Sequence, residues 1–540
     1  MPKYATGLML ACCAFNTAAA AGNAPVTVAI DVNANRHAIN PMIYGVNFGT
    51  PFDLKTLNAP LNRSGGNTTT TYNWKQNASN HDADYFFESL PDDGSAVAGE
   101  SADAFVKQTK GQGAQPMLTV PTIGWVANLA PGRGKAASFS VMKYGPQCKV
   151  DPYDTDAGNG IMSDCSTDIT GNDPHDAYIA DSPTAEKAWI QHLIAKWGKA
   201  ASGGVNYYLM DNEPSIWFST HRDIHPTGPH GAEIRDDVIN TSKMIKALDP
   251  NAKIAAPDEW GFYGYQYDGY DQQYAAAHNY SCPTTCYPDY AGVQENLFYV
   301  PWLLTEWKKV GHPIDILSVH FYPQGNEDTD DESTKTQQLR NRSTRQLWDP
   351  KYVSESYIGT PVDLIPLLKG WVSKYYYAGT PVAVTEYNWG DEGGINGATT
   401  QADIFGIFGR EGLDMATRWT VPAANTPTFK AMQIYRNYDG KNSGFGETSV
   451  KAAIPDPDQL SAFAAVRTAD GALTVMVINK IPGATPVTLA LGHFTAAGTA
   501  TAYQLTAANA IKQLANIKWS GGKLTATVPS QSITLFVLPK

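Results

Sequence analysis

The sequence predicts an α/β protein: a (β/α)8 TIM barrel with an additional all-β sandwich domain formed by the C-terminal segment and the N-terminal strand. Three observations predict it. Eight strand-like runs recur with helical stretches between them, the alternation that builds a parallel sheet. Two of those runs end in a Glu flanked by Asn and Trp, and strand C-termini are where such barrels carry chemistry. After Gly444 the pattern shifts to short alternating runs punctuated by Gly, Pro, Asn and Asp, a sandwich signature. At 540 residues the chain is long enough for more than one domain.

Residues 1–22 read as a secretory signal peptide. Lys3 supplies the positive charge, 5–15 is largely apolar, and Ala18 to Ala21 offer small-residue cleavage sites. That run is too short to span a membrane. Cys12 and Cys13 fall inside it and are expected to be removed with it. Segment 24–32 is a strand by alternation and β-branching, and residues 23–38 are assigned to the sandwich. The barrel is assigned to 39–444. Its strands are expected at 42–49, 62–66, 115–124, 205–214, 253–261, 315–323, 381–390 and 415–422. Helices are expected at 102–110, 183–201, 234–248, 301–310, 361–376 and 401–413, with the second strand and the first helix poorly marked. Two insertions interrupt the pattern. Segment 138–181 is rich in Gly, Asp, Asn and Tyr, and 323–361 reads as a solvated surface excursion. Sandwich strands are expected at 462–466, 473–478, 486–491, 499–505, 524–528 and 533–538, within 445–540.

Composition narrows the partners. A formal charge of −12 argues against nucleic acid and anionic membranes, whereas a neutral polysaccharide is indifferent to it. The chain holds 13 Trp and 28 Tyr, more than enough to spare some for stacking on sugar faces. A secreted monomer, extracellular or periplasmic, with no membrane association is expected. Four cysteines remain after the signal: Cys148, Cys165, Cys282 and Cys286. Export permits disulfides, and short loop closure favours Cys148–Cys165 with Cys282–Cys286 among the three pairings. Zinc-module spacing is lacking.

The chemistry centres on Glu213 and Glu386. In 205–214 a β-rich run leads into Asp211-Asn212-Glu213 and is stopped by Pro214; 381–390 repeats the design around Glu386. Two carboxyls facing one another across a barrel mouth are what glycoside hydrolysis requires: about 5–5.5 Å apart for retention, about 6.5–9.5 Å for inversion. No phosphate loop, His-Glu-x-x-His zinc motif or Gly-x-Ser-x-Gly elbow occurs.

Asp211-Asn212-Glu213-Pro214 with Trp217, followed by Thr220-His221-Arg222-Asp223-Ile224-His225-Pro226, resembles glycoside hydrolase family 44. Thr385-Glu386-Tyr387-Asn388, Arg63-Ser64-Gly65-Gly66-Asn67 with Tyr72-Asn73-Trp74, and the insertion from Asp151 to Gly160 resemble the same family, in the same order. The resemblance implies a barrel plus sandwich and retaining endo-hydrolysis of β-1,4-glucan, including xyloglucan. It implies Glu213 as acid/base and Glu386 as nucleophile, with no cofactor for catalysis.

Around that pair, Asn212 is positioned to bond a sugar 2-hydroxyl or the nucleophile, and Arg63 to orient Glu386. Trp125, Trp217, Trp260, Tyr322 and Trp389 each fall at or just after an expected strand end and are read as stacking subsites. Tyr322 and His320 share one strand, where His320 reads equally as a structural histidine. Glu259 is expected to support the site, and Glu306 to sit on a helix surface. Asp151, Asp154 and Asp156 crowd hard oxygen ligands into one loop; the family resemblance supports a structural calcium there, with Glu88 contributing, against a solvated acidic loop. A rival class is a non-catalytic glycan-binding protein on the same scaffold, and the same mechanism on mannan or xylan is a third reading.

Overall fold

The computed structural model describes residues 22–282 and 286–540. The expected signal peptide, with Cys12 and Cys13, lies outside the described residues except for Gly22. Strand β1 (Val26–Asp31) comes first. Strands and helices then alternate: β2 (Gly45–Asn47), α1 (Pro51–Leu57), β3 (Leu61–Ser64), α2 (Glu100–Gly111), β4 (Gln115–Val120), α3 (Pro183–Trp197), β5 (Tyr207–Met210) and α4 (Gly231–Leu248). The second half follows as β6 (Lys253–Glu259), α5 (Tyr299–Lys309), β7 (Ile316–Phe321), α6 (Leu364–Tyr375), β8 (Val382–Tyr387), α7 (Ile395–Glu411), β9 (Met415–Arg418) and α8 (Pro427–Arg436). Strands β2 to β9 close into a parallel barrel, with β9 pairing back to β2. Each expected barrel strand is present but shorter than its sequence run, because the chain leaves the sheet to build the rim.

Helices α1 and α8 were not anticipated. Both begin at Thr-Pro, with the Thr as N-cap and Pro in the first turn, and Thr50 forms a capping box with Asp53. Those start signals are legible; α1, at seven residues, is too short to show a helical period.

The barrel interior changes character along its axis. Leu61, Met117, Leu209, Ala255, Ile316, Ala383 and Met415 fill its N-terminal end. Two residues further along five of those strands stand Arg63, Thr119, Asp211, Thr385 and Thr417, all buried. The apolar floor excludes water, and the polar layer above it carries the site.

The second domain comprises β10 (Thr448–Ala453), β11 (Leu460–Val466), β12 (Leu473–Asn479), β13 (Thr485–Gly492), β14 (Gly498–Leu505), β15 (Lys523–Val528) and β16 (Ser532–Leu538). Strand β1 joins it, antiparallel to β10 and parallel to β13. Outer strand β13 buries every second residue, whereas β12 and β16 are buried throughout. One face of those inner strands, with Val475, Val477 and Phe536, packs on Val28, Ile30 and Leu489. The other face, with Met476 and Leu535, joins the barrel's hydrophobic cluster together with Phe463 of β11. Helix α7 lies in that seam: a Cβ at Gly406 would stand 2.1 Å from the Phe463 ring, so only glycine allows the contact.

Disulfides join Cys148 to Cys165 and Cys282 to Cys286. Among the described residues no helix is long and apolar enough to cross a membrane. Segment 323–361 is not merely a solvated excursion. Its helix Thr334–Ser343 carries a fully buried Arg340 that donates to the carbonyls of Glu327 and Trp389 and to Asn396 Oδ1. The insertion thus braces the rim beyond β8.

Candidate active site

Glu213 stands three residues beyond the end of β5, in a turn that the chain does not adopt freely. Asp211 and Glu213 have φ of +65° and +45°, the left-handed region that non-glycine residues avoid at a cost of about 1–2 kcal/mol each. The turn is held by its neighbours. Glu213 N donates to the Asp258 carbonyl at 3.1 Å, and Asp211 Oδ2 accepts from the backbone N–H groups of Thr122 and Ile123 at 2.5 and 3.2 Å. Glu386 needs no such device, because it lies within β8. Ligand-type atoms of Glu213, His320 and Glu386 all lie within 4.8 Å of one another. The two carboxyls expected to converge therefore do so, with His320 of β7 between them.

Both oxygens of Glu386 are engaged. Arg63 Nη1 donates to Oε1 at 2.7 Å, and the Tyr322 hydroxyl donates to Oε2 at 2.7 Å. Arg63 is fully buried and donates also to Asn47 Oδ1, Asn212 Oδ1 and Asp258 Oδ2, at 3.0, 2.9 and 2.7 Å. A buried guanidinium is tolerable only when paired in this way. Asn212 is committed as well: its oxygen accepts from Arg63 and from Gly66 N at 3.0 Å, and its Nδ2 donates to Asn67 at 3.1 Å.

His320 is buried between acids. Its Nδ1 is 2.8 Å from Glu213 Oε1, and its Nε2 is 3.1 Å from Asp258 Oδ2. Burial opposes a charge on the ring, but Glu386 and Asp258 outweigh burial and raise its pKa to about 10. As an imidazolium it donates from both nitrogens. Asp258 is held well below the usual carboxylate range: burial opposes this, and Arg63 and His320 overcome it. The Glu213 pKa is raised, first by burial and further by the charge of Glu386, with His320 pulling the other way. Arg63 and His320 thus stand as cations among the acids, and Glu213 is the acid whose proton affinity this setting raises.

The glycines of Arg63-Ser64-Gly65-Gly66 have a steric reason. A Cβ at Gly65 would lie 2.1 Å from Arg63 Cζ, and one at Gly66, where φ is +87°, would lie 2.5 Å from the Trp419 ring. Both side chains fold back over bare backbone. Trp419, just past β9, is half-buried and meets Phe48 edge-on at 5.9 Å; it is the rim aromatic that sequence reasoning missed. Its position one residue past a barrel strand was the available signal.

Two expected stacking residues are corrected. Trp217 is fully buried and donates Nε1–H to the Asn212 carbonyl at 3.1 Å; Trp389, 3% exposed, donates to Ser343 Oγ at 3.0 Å. Neither offers a face to a sugar: residues after a strand turn inward against helices as readily as outward. Trp260 is half-buried and bonded to Gln272 at 3.2 Å, and Trp125 is half-buried with its ring edge on His175. Asp258, also missed, takes the supporting place given to Glu259. The latter instead accepts from Ser215 Oγ. Glu306 lies on α5, paired with Lys309. Asp151, Asp154 and Asp156 do not converge. Among the described residues, the cluster with metal-ligand proximity is Glu213, His320 and Glu386, which the buried ion network explains.

Comparison with known proteins fits this arrangement. The family model described as glycoside hydrolase family 44 matches residues 78–325. Endoglucanase A of Paenibacillus lautus is 31% identical over 490 residues, 84% of this chain; the chain spans only 64% of that curated relative's length. CelM2, a bifunctional glucanase-xylanase protein from a metagenome library, is 53% identical with a TM-score of 0.93, covering 96% of this chain and 99% of its own. A Paenibacillus polymyxa xyloglucanase from glycoside hydrolase family 44 is 27% identical with a TM-score of 0.77, covering 95% and 99%. With the motifs, the barrel-plus-sandwich architecture and the paired glutamates in place, the chain belongs to glycoside hydrolase family 44.

Proposed function

We propose that this protein is a secreted retaining endo-β-1,4-glucanase that cleaves β-1,4-glucan and xyloglucan by double displacement. The observation that carries the reading is the spacing of Glu213 and Glu386, whose nearest oxygens lie within 4.8 Å. That proximity suits retention, for which the carboxyls stand about 5–5.5 Å apart, better than the about 6.5–9.5 Å of an inverting enzyme.

In the first step Glu386 attacks the anomeric carbon as a carboxylate, while Glu213 passes its proton to the departing glycosidic oxygen. The C–O bond to the leaving sugar breaks and a glycosyl ester forms on Glu386. Arg63 and Tyr322 hold both Glu386 oxygens in line. Esterification removes the Glu386 charge that had favoured protonated Glu213. Glu213 then takes a proton from water, the hydroxide attacks the same carbon, and the ester bond breaks. Configuration is inverted twice and so retained. Trp419, Trp260 and Trp125 are the half-buried aromatics best placed to meet sugar rings. The name of CelM2 and its 53% identity favour xylan as a second substrate class.

The test is a panel of β-glucans, xyloglucan, xylan and mannan, with the first-formed anomer followed by proton NMR. Retention predicts that the β anomer appears first. Glu213→Gln lowers kcat by about 10²–10⁴-fold with glycan binding kept. An initial α anomer refutes retention, and a wild-type protein that releases no reducing ends while binding glycan establishes the non-catalytic reading.

A further inference from the structure

We propose that the ammonium of Lys135 is the resident cation of the acidic knot beside the cleft, so that this chain holds the region together without a divalent ion. The knot forms where the expected calcium ligands part company. Asp156 accepts from Ser140 Oγ and from Met142 N, both at 2.7 Å, at the start of the short helix Val141–Tyr144. Asp154 Oδ1 accepts from Asp156 N at 3.1 Å. Asp151 turns the other way and is fully buried, as is Glu88. Lys135 Nζ lies 3.2 Å from Asp151 Oδ2 and 3.3 Å from Glu88 Oε2. The Tyr85 hydroxyl donates to Asp151 Oδ1 at 2.7 Å.

Neither Glu88 oxygen has a hydrogen-bond partner of good geometry among the described residues; burial and Asp151 raise its pKa to about 7, and Lys135, 3.3 Å away, is the cation that pulls it back down. Two buried carboxylates side by side require neutralising. The Lys135 stem supplies the charge from a side chain that is itself 37% exposed. Calcium asks for six to eight oxygens at about 2.3–2.6 Å, without a competing cation. Here Asp154 and Asp156 are spent on backbone and hydroxyl donors, and an ammonium stands between the remaining two acids. The disagreement between the acidic sequence and the residues that meet is therefore specific to Lys135.

The knot matters because it anchors the cleft wall. Tyr85 and Glu88 lie on the segment that carries Asp84, whose carboxylate is 3.4 Å from Asn67 Nδ2, and Asn67 accepts from Asn212 beside the acid/base. Lys135 also precedes strand Ala136–Ala137, which pairs with Glu88–Pro91.

The test uses the full-length protein, with calcium content after desalting and melting temperature in EDTA and in calcium chloride. Wild type is expected to carry no stoichiometric calcium and to melt identically in both. Lys135→Arg keeps the charge and behaves as wild type. Lys135→Met melts about 2–4 °C lower in EDTA and recovers in calcium, with a Kd of about 0.1–1 mM, as in weak extracellular sites. One calcium per wild-type chain, a wild-type melting temperature that falls in EDTA, or a Lys135→Met protein indifferent to calcium overturns the proposal. If Lys135→Met does not fold, the wild-type chelation result decides alone.

Discussion

Glu259→Gln isolates one buried carboxyl whose cost can be worked out. Glu259 ends β6 fully buried, with Oε2 accepting from Ser215 and Oε1 without a partner among the described residues. Burial pushes its pKa up from 4.5 to about 8, the Ser215 bond opposing and the nearby Glu213 adding to the rise. Because the folded pKa is the higher one, the folded state holds a proton that the unfolded chain releases. The stability this confers is complete below about pH 4.5 and is lost as pH rises to about 8. The full interval, 8 − 4.5 = 3.5 units at about 1.36 kcal/mol each, is about 5 kcal/mol, of which about 3 is lost by pH 7. Glutamine cannot ionise, and any penalty for burying its extra N–H groups, about 1–3 kcal/mol, does not vary with pH. Relative to wild type, the variant should therefore gain about 3 kcal/mol between pH 4.5 and pH 7. Guanidinium unfolding followed by tryptophan fluorescence at the two pH values measures it. A difference that stays flat across that interval refutes the reasoning. Hydrolysis should survive the change, since Glu259 touches Ser215 and not the reacting pair.

Arg63→Met removes the donor to four buried acceptors at once, two of them carboxylates; stability should fall by about 3–5 kcal/mol and kcat by about 100-fold or more. Chemical denaturation and initial rates on a soluble β-glucan check both, and near-wild-type values in either contradict the network. Trp419→Ala and Trp217→Ala should separate cleanly: the first raises KM with little change in melting temperature, the second costs about 3–5 kcal/mol because its ring is fully buried. The opposite pattern would reverse which indole meets the substrate.

Much of this was legible in the chain because barrel strands are buried on both faces and read as continuous apolar runs. The end of each run located the rim, and with it Glu213 and Glu386. Legibility failed where the two-residue period failed. Between Pro257 and Glu259 the pairing of β6 with β7 slips, and Asp258 takes a φ of +60°. That bulge turns Asp258 toward Arg63 and His320 and sends Glu259 to Ser215. A strict alternation could not have chosen between adjacent acids. Trp217 and Trp389 failed for a different reason: a position after a strand end fixes height in the barrel but not direction, and both indoles found hydrogen-bond acceptors inward.

The raised pKa of Glu213 illustrates what one-dimensional reading misses altogether. Taken singly, Glu213 is one more carboxyl and His320 one more histidine, and neither neighbourhood in sequence says which holds a proton. The answer depends on five side chains from β3, β6, β7, β8 and the turn after β5 sharing one dry volume. In such a volume a net charge is expensive, so the proton affinities of Glu213 and His320 depend on their neighbours. Arg63 cannot give up its proton, which commits one negative partner. Asp258, bonded by both Arg63 and His320, is held well below the usual carboxylate range. Glu213 is pushed the other way, up by burial and by the charge of Glu386 and down by its bond to His320, while His320 itself is raised to about 10 by the acids around it. Removing His320 would take away a neighbour that lowers the pKa of Glu213, and removing Arg63 would leave Asp258 and Glu386 buried without the donor they share.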